Sequence, residues 1–503
     1  MPPGGICRDS GGKIMNKLHT ETTGESNPNK QKTVMIVALL GMYMSVLDSV
    51  IISIALPSIT SYFNAEIALS QWTMTGYFVA ITAAMLIFSR LSESSGKNRM
   101  FLTGMAVFTI SSLGCALAPT LPALIVLRVV QGIGAAMAVS IVMAIIFELY
   151  PFSEHGKAMG LLASTIAIAS LSGPALGGVL LNLFDWRAIF MINIPIGILL
   201  VSFGIYSMYL ERPKKSGKEK MDWIGAGSLA ATIASSMLFL GFVAEGTGSG
   251  AYVTAALCVC IVALALFIRT ERRHPRPLLD LSIFSERLFV VPLLCMALVF
   301  AAYMVLGISM PFYLEGVMAF SPLQVGLVFM LIAAILTVGA PIVGRIFDRY
   351  PWKYFTGIGL FIIVLGLLAF AFFARTADLT LLIGASIIFA IGFTIFQGPI
   401  NAEIMRGLPI ERSAIASGLN SAGRQFAMAL GSSVASIIFA FQLRQSGYTG
   451  VVTNAAPSLI TDATSIAMTV AALLCFAGMM LQVLKREPAG EIWNEKIKTG
   501  KDT

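Results

Sequence analysis

The segment MIVALLGMYMSVLDSVIISIALPSIT, which runs from Met35 to Thr60, is an apolar stretch that carries one charged residue, Asp48, near its middle. A helix needs about 20 predominantly apolar residues to cross the hydrocarbon core of a bilayer, and this stretch is long enough. It therefore predicts a membrane-spanning helix. The fold class then follows from how many stretches of the same kind the chain contains.

Similar apolar stretches recur along the whole chain, fourteen in all. The composition agrees, because 57% of the residues are hydrophobic and 12% are charged, whereas soluble domains have about 25% charged residues. The predicted fold is all-α and integral to the membrane, with fourteen transmembrane helices and both termini on one side. After the first, the stretches are Gln71–Leu91, Met100–Ala118, Leu121–Glu148, Lys157–Leu181, Trp186–Tyr209, Asp222–Val243, Ala251–Ile268, Phe289–Tyr313, Pro322–Gly344, Phe355–Ala374, Thr380–Asn401, Ser413–Phe441 and Ser465–Leu484.

The positive charge indicates an orientation rather than nucleic-acid binding. The formal net charge is +8 at pH 7, and Lys and Arg accumulate on the cytoplasmic side of bilayers. With cytoplasmic termini, nearly all of the 34 Lys and Arg residues lie in cytoplasmic segments or at helix ends that face them. We therefore expect a multi-pass protein of the cell membrane with both termini in the cytoplasm. The exceptions are Arg187, Arg375 and Arg444 outside, and Arg128 and Arg424 within helices.

The connections between stretches predict the domain organisation. Most are short, but two charged linkers, Glu211–Asp222 and Arg269–Arg287, flank the seventh and eighth stretches. Similar charged loops also follow the second stretch (SRLSESSGKNR, Ser89–Arg99) and the tenth (GRIFDRYPWK, Gly344–Lys353). Such a repeat is typical of transporters, whose substrate site lies between the repeats. The predicted units are a disordered cytoplasmic tail (1–33), an N-terminal six-helix bundle (34–210), linkers with two inserted helices (211–288), a C-terminal six-helix bundle (289–485) and a cytoplasmic tail (486–503).

Seven short motifs occur in a fixed order along the chain. They are LDSVIISIALP (Leu47–Pro57), SRLSESSGKNR, LRVVQGIGAA (Leu127–Ala136), SGPALGG (Ser172–Gly178), DWRAIFMINIPIG (Asp185–Gly197), DWIG (Asp222–Gly225) and PLLDLSIF (Pro277–Phe284). Through them the chain resembles the fourteen-helix drug:proton antiporter branch of the major facilitator superfamily, from about Met35 to Leu484. It departs from the family pattern at Ser89, Glu93, Val50 and Ser53, where the family usually has glycine, aspartate, threonine and asparagine.

Asp48 and Arg128 are the main candidates for the coupling site. A charged side chain inside a membrane helix costs about 2.5–3.5 kcal/mol on insertion scales, so it usually faces a partner or a cavity. Arg128 is the natural partner of Asp48, with Gln131 on the next helical turn. The resemblance implies that both charged residues take part in proton coupling. The alternative is that Asp48 and Arg128 only hold neighbouring helices together.

The motif SGPALGG in the fifth stretch predicts a tightly packed or flexible helix. Pro174 removes a backbone donor, and Gly173 and Gly177 leave a flat strip that permits close helix approach. Small-residue strips of this kind also serve packing alone. The resemblance assigns the motif, which ends at Gly178, to exporters, and this is the main indication of the direction of transport.

The two charged loops are candidates for a gate on the cytoplasmic side. Acidic and basic residues around a glycine look like a charge latch between the bundles, which fits alternating access. The simpler reading is that the basic residues only set the orientation. The residues concerned are Glu93, Gly96, Lys97 and Arg99 in the first loop, and Gly344, Asp348 and Arg349 in the second.

Further charged residues within or near the spans are candidates for substrate binding or coupling: Glu315, Glu403 and Arg424, the last of which has Glu403 as a conceivable partner. No P-loop motif for ATP occurs, and the three histidines lie outside the apolar stretches, so neither a cofactor, a metal site nor an enzymatic activity is expected. Since Asp48 is the one central acid, the sequence favours lipophilic neutral or singly charged cationic substrates.

The sequence thus predicts a monomeric, proton-coupled exporter of lipophilic drugs or similar small molecules, which exchanges substrate for protons across the lipid bilayer by alternating access. Two alternatives stay open. One is a dedicated transporter of a metabolite or lipid-like compound, and the other is a receptor or scaffold that has kept the fold without transporting anything.

Overall fold

The predicted fourteen transmembrane helices are present in the computed structural model, which describes residues 28–150, 155–208, 222–246, 250–274, 279–349, 354–409, 412–448 and 450–484. All fourteen are long and apolar enough to cross a membrane. In chain order they are α1 (Pro28–Tyr62), α2 (Trp72–Ser95), α3 (Lys97–Ala116), α4 (Leu121–Leu149), α5 (His155–Leu183), α6 (Asn193–Ser207), α7 (Trp223–Glu245), α8 (Gly250–Arg273), α9 (Arg287–Gly316), α10 (Pro322–Arg349), α11 (Phe355–Phe373), α12 (Leu379–Arg406), α13 (Ser413–Gln445) and α14 (Pro457–Leu484).

Several helices extend beyond the apolar stretches that predict them. The first begins at Pro28, so part of the predicted tail is helical. Proline is favoured in the first turn of a helix, where its missing N–H is no loss, and polar residues can extend a helix into water. The predicted disorder of residues 1–27 and the predicted tail 486–503 lie outside the described residues.

The two charged segments predicted as loops are mostly helical. In the first, α2 continues to Ser95 and α3 begins at Lys97, so Gly96 alone connects them, with a φ of +88° that suits glycine. In the second, Gly344 and Arg349 belong to the last turns of α10. No strong helix breaker precedes Pro351, and this explains why the helix passes the end of the apolar stretch.

The helices form two bundles with the same internal packing. In the N-terminal bundle α1 packs against α5 and α6, and α4 packs against α2 and α3. In the C-terminal bundle α9 packs against α13 and α14, and α12 packs against α10 and α11. The inserted helices α7 and α8 pack on each other, and α7 also lies against both α2 and α13. The predicted fold class, two six-helix bundles plus an inserted pair, is therefore confirmed.

The two bundles meet on one side of the molecule. We call the side where α1 begins and α14 ends the terminal side, and the opposite side the distal side. On the distal side the Thr75 hydroxyl lies 2.8 Å from the Ser432 hydroxyl, and Arg444 pairs with Glu66 at 3.5 Å. Toward the terminal side α5 and α10 separate, so that Ile168 is 56% exposed and Val338 is 64% exposed. The space between the bundles is therefore closed on the distal side.

Candidate functional site

Asp48 and Arg128 form a buried ion pair between α1 and α4, the pairing that the sequence predicts. Arg128 Nη1 donates to Asp48 Oδ2 at 2.5 Å, and the two side chains are 0% and 1% exposed, respectively. Two amide groups complete the carboxylate's surroundings, because Gln131 Nε2 and Asn193 Nδ2 both donate to Asp48 Oδ1, at 3.1 and 3.0 Å. The carboxylate thus accepts three hydrogen bonds in a site closed to water.

The guanidinium group of Arg128 is held from several directions. Its Nε donates to the Thr73 carbonyl of α2 at 2.9 Å, and Nη1 also donates to Gln131 Oε1 at 2.7 Å. The Tyr77 ring lies against it, with 4.2 Å from Cζ to the ring centroid, and attracts the cation electrostatically. Nη2 is buried and has no hydrogen-bond partner. Four helices, α1, α2, α4 and α6, therefore converge on one pair of charges.

Small residues allow this convergence. A Cβ atom on Gly132 would lie 2.6 Å from the Tyr77 carbonyl oxygen, and one on Gly134 would lie 2.7 Å from the Phe108 nitrogen. These are backbone atoms of α2 and α3, so α4 can approach both helices only because glycine stands at these positions. The motif LRVVQGIGAA thus supplies both the charged residue and the close packing that brings it to Asp48.

The arrangement can hold or lose one proton without breaking apart. When Asp48 is ionised, the charges of the pair cancel. When it is protonated, Arg128 keeps the Thr73 carbonyl and Gln131 as acceptors, while the strongest contact to α1 is lost. Because both groups are closed to water here, proton exchange requires a movement that opens the site.

Sequence reasoning missed several members of this network. Asn193 lies within the quoted motif DWRAIFMINIPIG, and an amide in an otherwise apolar stretch was the signal that could have identified it. The helix is broken at this point, since a short turn, Ala188–Met191, precedes α6. Ser112, which accepts a hydrogen bond from Gln131 Nε2 at 2.7 Å, and Tyr77 carried no such signal.

The glycines of SGPALGG face two different helices. A Cβ on Gly173 or Gly177 would meet side chains of α1, at 3.2 Å from Val50 and 2.8 Å from Ile51. A Cβ on Gly178 would lie 2.9 Å from the Pro322 carbonyl oxygen, at the start of α10 in the other bundle. Gly178 therefore belongs to the distal contact between the bundles.

The α5–α10 contact is symmetric in kind. Gly326 of α10 approaches the α5 backbone, because a Cβ there would lie 2.5 Å from the carbonyl oxygen of Pro174. Two glycines thus let the two backbones touch directly. The prediction that the motif produces tight packing agrees with this geometry, and the partner helix could not be identified from the sequence.

The candidate latch residues do not join the two bundles in this structure. Lys97 forms an ion pair with Glu148 at the end of α4, within its own bundle. Arg99 is exposed, as is Arg349 at the end of α10. The side chains of Glu93 and Asp348 lie outside the described residues. This is consistent with bundles that are apart on the terminal side, where a latch between them would be open.

Glu403 is not the partner of Arg424, contrary to one possibility raised by the sequence. Its two oxygens accept hydrogen bonds from Thr356 of α11 at 2.5 Å and from Gln482 of α14 at 2.6 Å. Glu403 occupies the same place in the C-terminal bundle as Glu148 in the N-terminal one, near the terminal end of its helix. Position in the span thus explains why it binds nearby polar groups instead of the distant Arg424.

Glu315 lies at the distal end of α9 and not in the membrane centre. It lines an open depression of about 580 Å³ between the bundles, together with residues such as Pro57, Trp186 and Asn454. Among the described residues, no group of three or more His, Cys, Asp or Glu side chains is arranged to hold a metal ion.

Two motif aspartates have structural roles. Asp222 of DWIG caps α7 by accepting a hydrogen bond from the Gly225 N–H at 2.7 Å. Asp280 of PLLDLSIF accepts from the Ser282 N–H at 3.0 Å and pairs with Arg412 at 3.3 Å, which ties the linker to the start of α13. The hydrogen bonds from Ser282, and secondarily the Arg412 charge, hold the pKa of Asp280 below its usual value.

Comparison with known proteins decides the family. The sequence pattern of the Major Facilitator Superfamily matches residues 38–432. The chain belongs to the major facilitator superfamily. Its fourteen helices fit the drug:proton antiporter branch of that superfamily, as the motifs predict.

Relatives within the superfamily are transporters. The chain is 30% identical to the riboflavin transporter RibZ of Clostridioides difficile over 90% of this chain and 97% of RibZ. It is 28% identical to the multidrug resistance protein Stp of Mycobacterium tuberculosis, over 82% of this chain and 76% of Stp. This superfamily member is therefore a multi-pass membrane transporter and not an enzyme.

A solved structure supports the fold. A bacterial homologue of the human lysosomal transporter Spinster, in an inward-facing and unoccupied conformation, superposes with a TM-score of 0.66 at 16% identity. The match covers 92% of this chain and 100% of the other. The major facilitator fold extends over nearly the whole protein.

Proposed function

We propose that this protein is a proton-coupled exporter of lipophilic small molecules that works by alternating access. The observation that carries the proposal is the buried network of Asp48, Arg128, Gln131 and Asn193. A charge pair inside a membrane helix bundle is costly, and such pairs commonly belong to ion or proton pathways. Within the described helices, Asp48 is the one acid that lies away from the helix ends.

The coupling follows from where the network lies. Asp48 joins α1 to α4 and α6, and α1 also packs along the glycines of α5, which forms the distal contact with α10. Protonation of Asp48 removes the attraction between α1 and Arg128, so the packing of α1 in its bundle loosens. Uptake of a proton is thereby linked to the contact that closes the distal side.

The direction and sidedness of transport rest on three supports. The SGPALGG motif is typical of exporters in the antiporter branch, and the relative Stp is a multidrug resistance protein. The distribution of Lys and Arg favours cytoplasmic termini in the cell membrane. The terminal side is then the cytoplasm, and the structure has the form that loads substrate from inside the cell.

Flux in reconstituted vesicles tests the proposal. Asp48→Asn keeps the side-chain volume and removes the titratable charge, so we expect it to fold and insert but to lose flux driven by a pH gradient, by at least roughly tenfold. Asp462→Asn is the matched control, because this acid of α14 lies near the distal end and has no hydrogen bond or ion pair in the part of the chain that the structure describes. We expect it to transport like the wild type.

Two outcomes contradict the proposal in different ways. An Asp48→Asn protein with the wild-type rate and pH dependence means that Asp48 is structural and that the proton carrier lies elsewhere. A wild-type protein without gradient-dependent flux of any probe means that the chain is a receptor or scaffold of the same fold.

A dedicated metabolite transporter is the second candidate. The match with RibZ, a riboflavin transporter, covers a larger share of both chains than the match with Stp. Flux of riboflavin compared with a panel of unrelated lipophilic dyes separates the two candidates. Broad export indicates a multidrug transporter, and riboflavin flux without dye flux indicates a dedicated one.

A further inference from the structure

Arg424 is a permanently charged residue well inside α13 that has no anionic partner. Its Cζ atom lies 5.6 Å from the centroid of the Phe300 ring of α9. Among the described residues it makes neither a hydrogen bond nor an ion pair, and its nitrogen atoms are not sealed from solvent. An isolated charge is retained inside a membrane protein only where a partner or water compensates it. Its partner is therefore to be sought outside the protein.

The guanidinium group faces the space between α9, α12 and α13. Phe300 of α9 also contacts Phe393 of α12, with 5.4 Å between ring centroids. One helical turn from Arg424, the Asn420 amide donates to Asn401 of α12 at 2.9 Å and closes one end of this space. On the same helix, Gly418 lies opposite Leu86 of α2. The space is thus at the junction of the two bundles, as expected of a transporter's substrate site.

Four aromatic rings form one wall of this space, and we call them the aromatic shelf: Phe300, Tyr303, Phe389 and Phe393. Tyr303 lies 5.1 Å from Phe393 and is stacked on Phe389 at 6.4 Å, between ring centroids. Tyr303 is the member with a partly exposed side chain, and its hydroxyl has no partner within the described residues. The other three rings are buried behind it. Phe300 lies between Tyr303 and Arg424, so one ligand of ordinary size can contact both.

The charges in the membrane centre add up to a positive site. In the described helices, the charged side chains that lie beyond the first and last two turns are Asp48, Arg128 and Arg424. The first two neutralise each other within the N-terminal bundle, and Arg424 remains. The sequence-based expectation of a singly charged cation depended on an accessible Asp48, but the structure encloses this carboxylate and pairs it. A cationic substrate would meet only the like charge of Arg424.

We infer that Arg424 and the aromatic shelf form a binding subsite for aromatic anions, with the planar ring on Tyr303 and a carboxylate or similar oxyanion on the guanidinium group. Guanidinium binds such oxyanions through two parallel hydrogen bonds, and aromatic side chains hold flat rings by stacking. The inference rests on the proposed function, because it names the substrate class of the same transporter.

Equilibrium binding to the purified protein, without any proton gradient, tests the inference. The probes are naphthoate, its neutral methyl ester and naphthylmethylammonium, which share one ring system and differ in charge. We expect the wild type to bind naphthoate roughly tenfold or more tightly than the other two. We expect Arg424→Gln to reduce the affinity for naphthoate to that for the ester and to leave ester binding unchanged.

Two further variants separate charge from shape. Arg424→Lys keeps the charge and should retain a preference for naphthoate, although a weaker one, because an ammonium group lacks the planar fork. Tyr303→Leu removes the ring and should weaken the binding of all three probes to a similar degree.

Either of two results overturns the inference. One is wild-type binding of naphthylmethylammonium as tight as that of naphthoate, which needs no variant to be observed. The other is an Arg424→Gln protein that keeps the preference for naphthoate. Because no gradient is applied, anion-selective binding together with absent gradient-driven flux leaves the subsite in place and refutes only the exporter proposal.

Discussion

Arg128 shows how one residue can organise a bundle. Its position in an apolar stretch predicts a buried partner, and Asp48 is the nearest choice by charge, so this pair could be predicted from the sequence. Asn193, Tyr77 and the Thr73 carbonyl could not, because they come from other helices whose rotation about their axes the sequence does not determine. The same limit explains why Glu403 looked like a partner for Arg424: sequence gives the helix on which a charge lies but not the face it occupies.

At Arg128, substitution by Ala should destabilise the protein more than substitution of both charges. The single variant leaves Asp48 buried without its counter-charge, which costs about 3–5 kcal/mol, whereas Arg128→Ala combined with Asp48→Asn removes both charges. We expect a lower midpoint of thermal unfolding for Arg128→Ala and a partial recovery in the double variant. Equal midpoints for the two proteins would show that the ion pair does not stabilise the bundle.

Helix α5 shows what a motif can and cannot reveal at the level of an element. The run SGPALGG predicts close approach, because glycine leaves room for a neighbouring backbone. It does not tell that Gly173 and Gly177 face α1 whereas Gly178 faces α10. Residues adjacent in sequence differ by about a quarter turn around a helix, so one motif can serve both the packing within a bundle and the contact between bundles.

Bulky substitutions in α5 should therefore differ in effect. Gly178→Leu places side-chain atoms where the Pro322 carbonyl lies, and backbone cannot move aside, so we expect the distal contact to open and transport to fall strongly. Gly173→Leu and Gly177→Leu meet the flexible side chains of Val50 and Ile51 and should have smaller effects. Gly160→Leu is the matched control, since nothing lies within 4 Å of a Cβ at that position.

Two measurements check this ordering. One is vesicle flux, and the other is thiol labelling from the distal side of a Thr75→Cys reporter, whose position is fully buried. Labelling should rise in the Gly178→Leu background and stay low with Gly160→Leu. If all four glycine variants behave alike, the α5–α10 contact does not control closure.

At the scale of the whole molecule, the number of helices and the two-bundle architecture were predictable because the membrane imposes a length and a composition on every span. The helix ends were less so, since α1, α2 and α10 continue past their apolar stretches into the polar region. The state of the molecule, closed on the distal side and open on the other, was not predictable, because the same sequence must support both states of a transport cycle.

Reporter fusions test the orientation of the whole chain. Fusions at Lys32 and after Lys485 should report a cytoplasmic location, and a fusion at Ser249, between α7 and α8, should report the outside, because of the way Lys and Arg are distributed. A cytoplasmic signal at Ser249 would contradict the fourteen-span topology. Opposite signals at all three sites would invert the orientation and keep the topology.

The position of α7 gives the molecule two unlike flanks. The line where α2 meets α13 is covered by α7, which packs on both and places Gly241 against the Trp72 ring. The line where α5 meets α10 has no such cover, and its two helices diverge toward the terminal side. A compound dissolved in the lipid of that leaflet therefore finds one flank roofed by the inserted pair and the other ajar, so that entry from within the bilayer is lateral and one-sided.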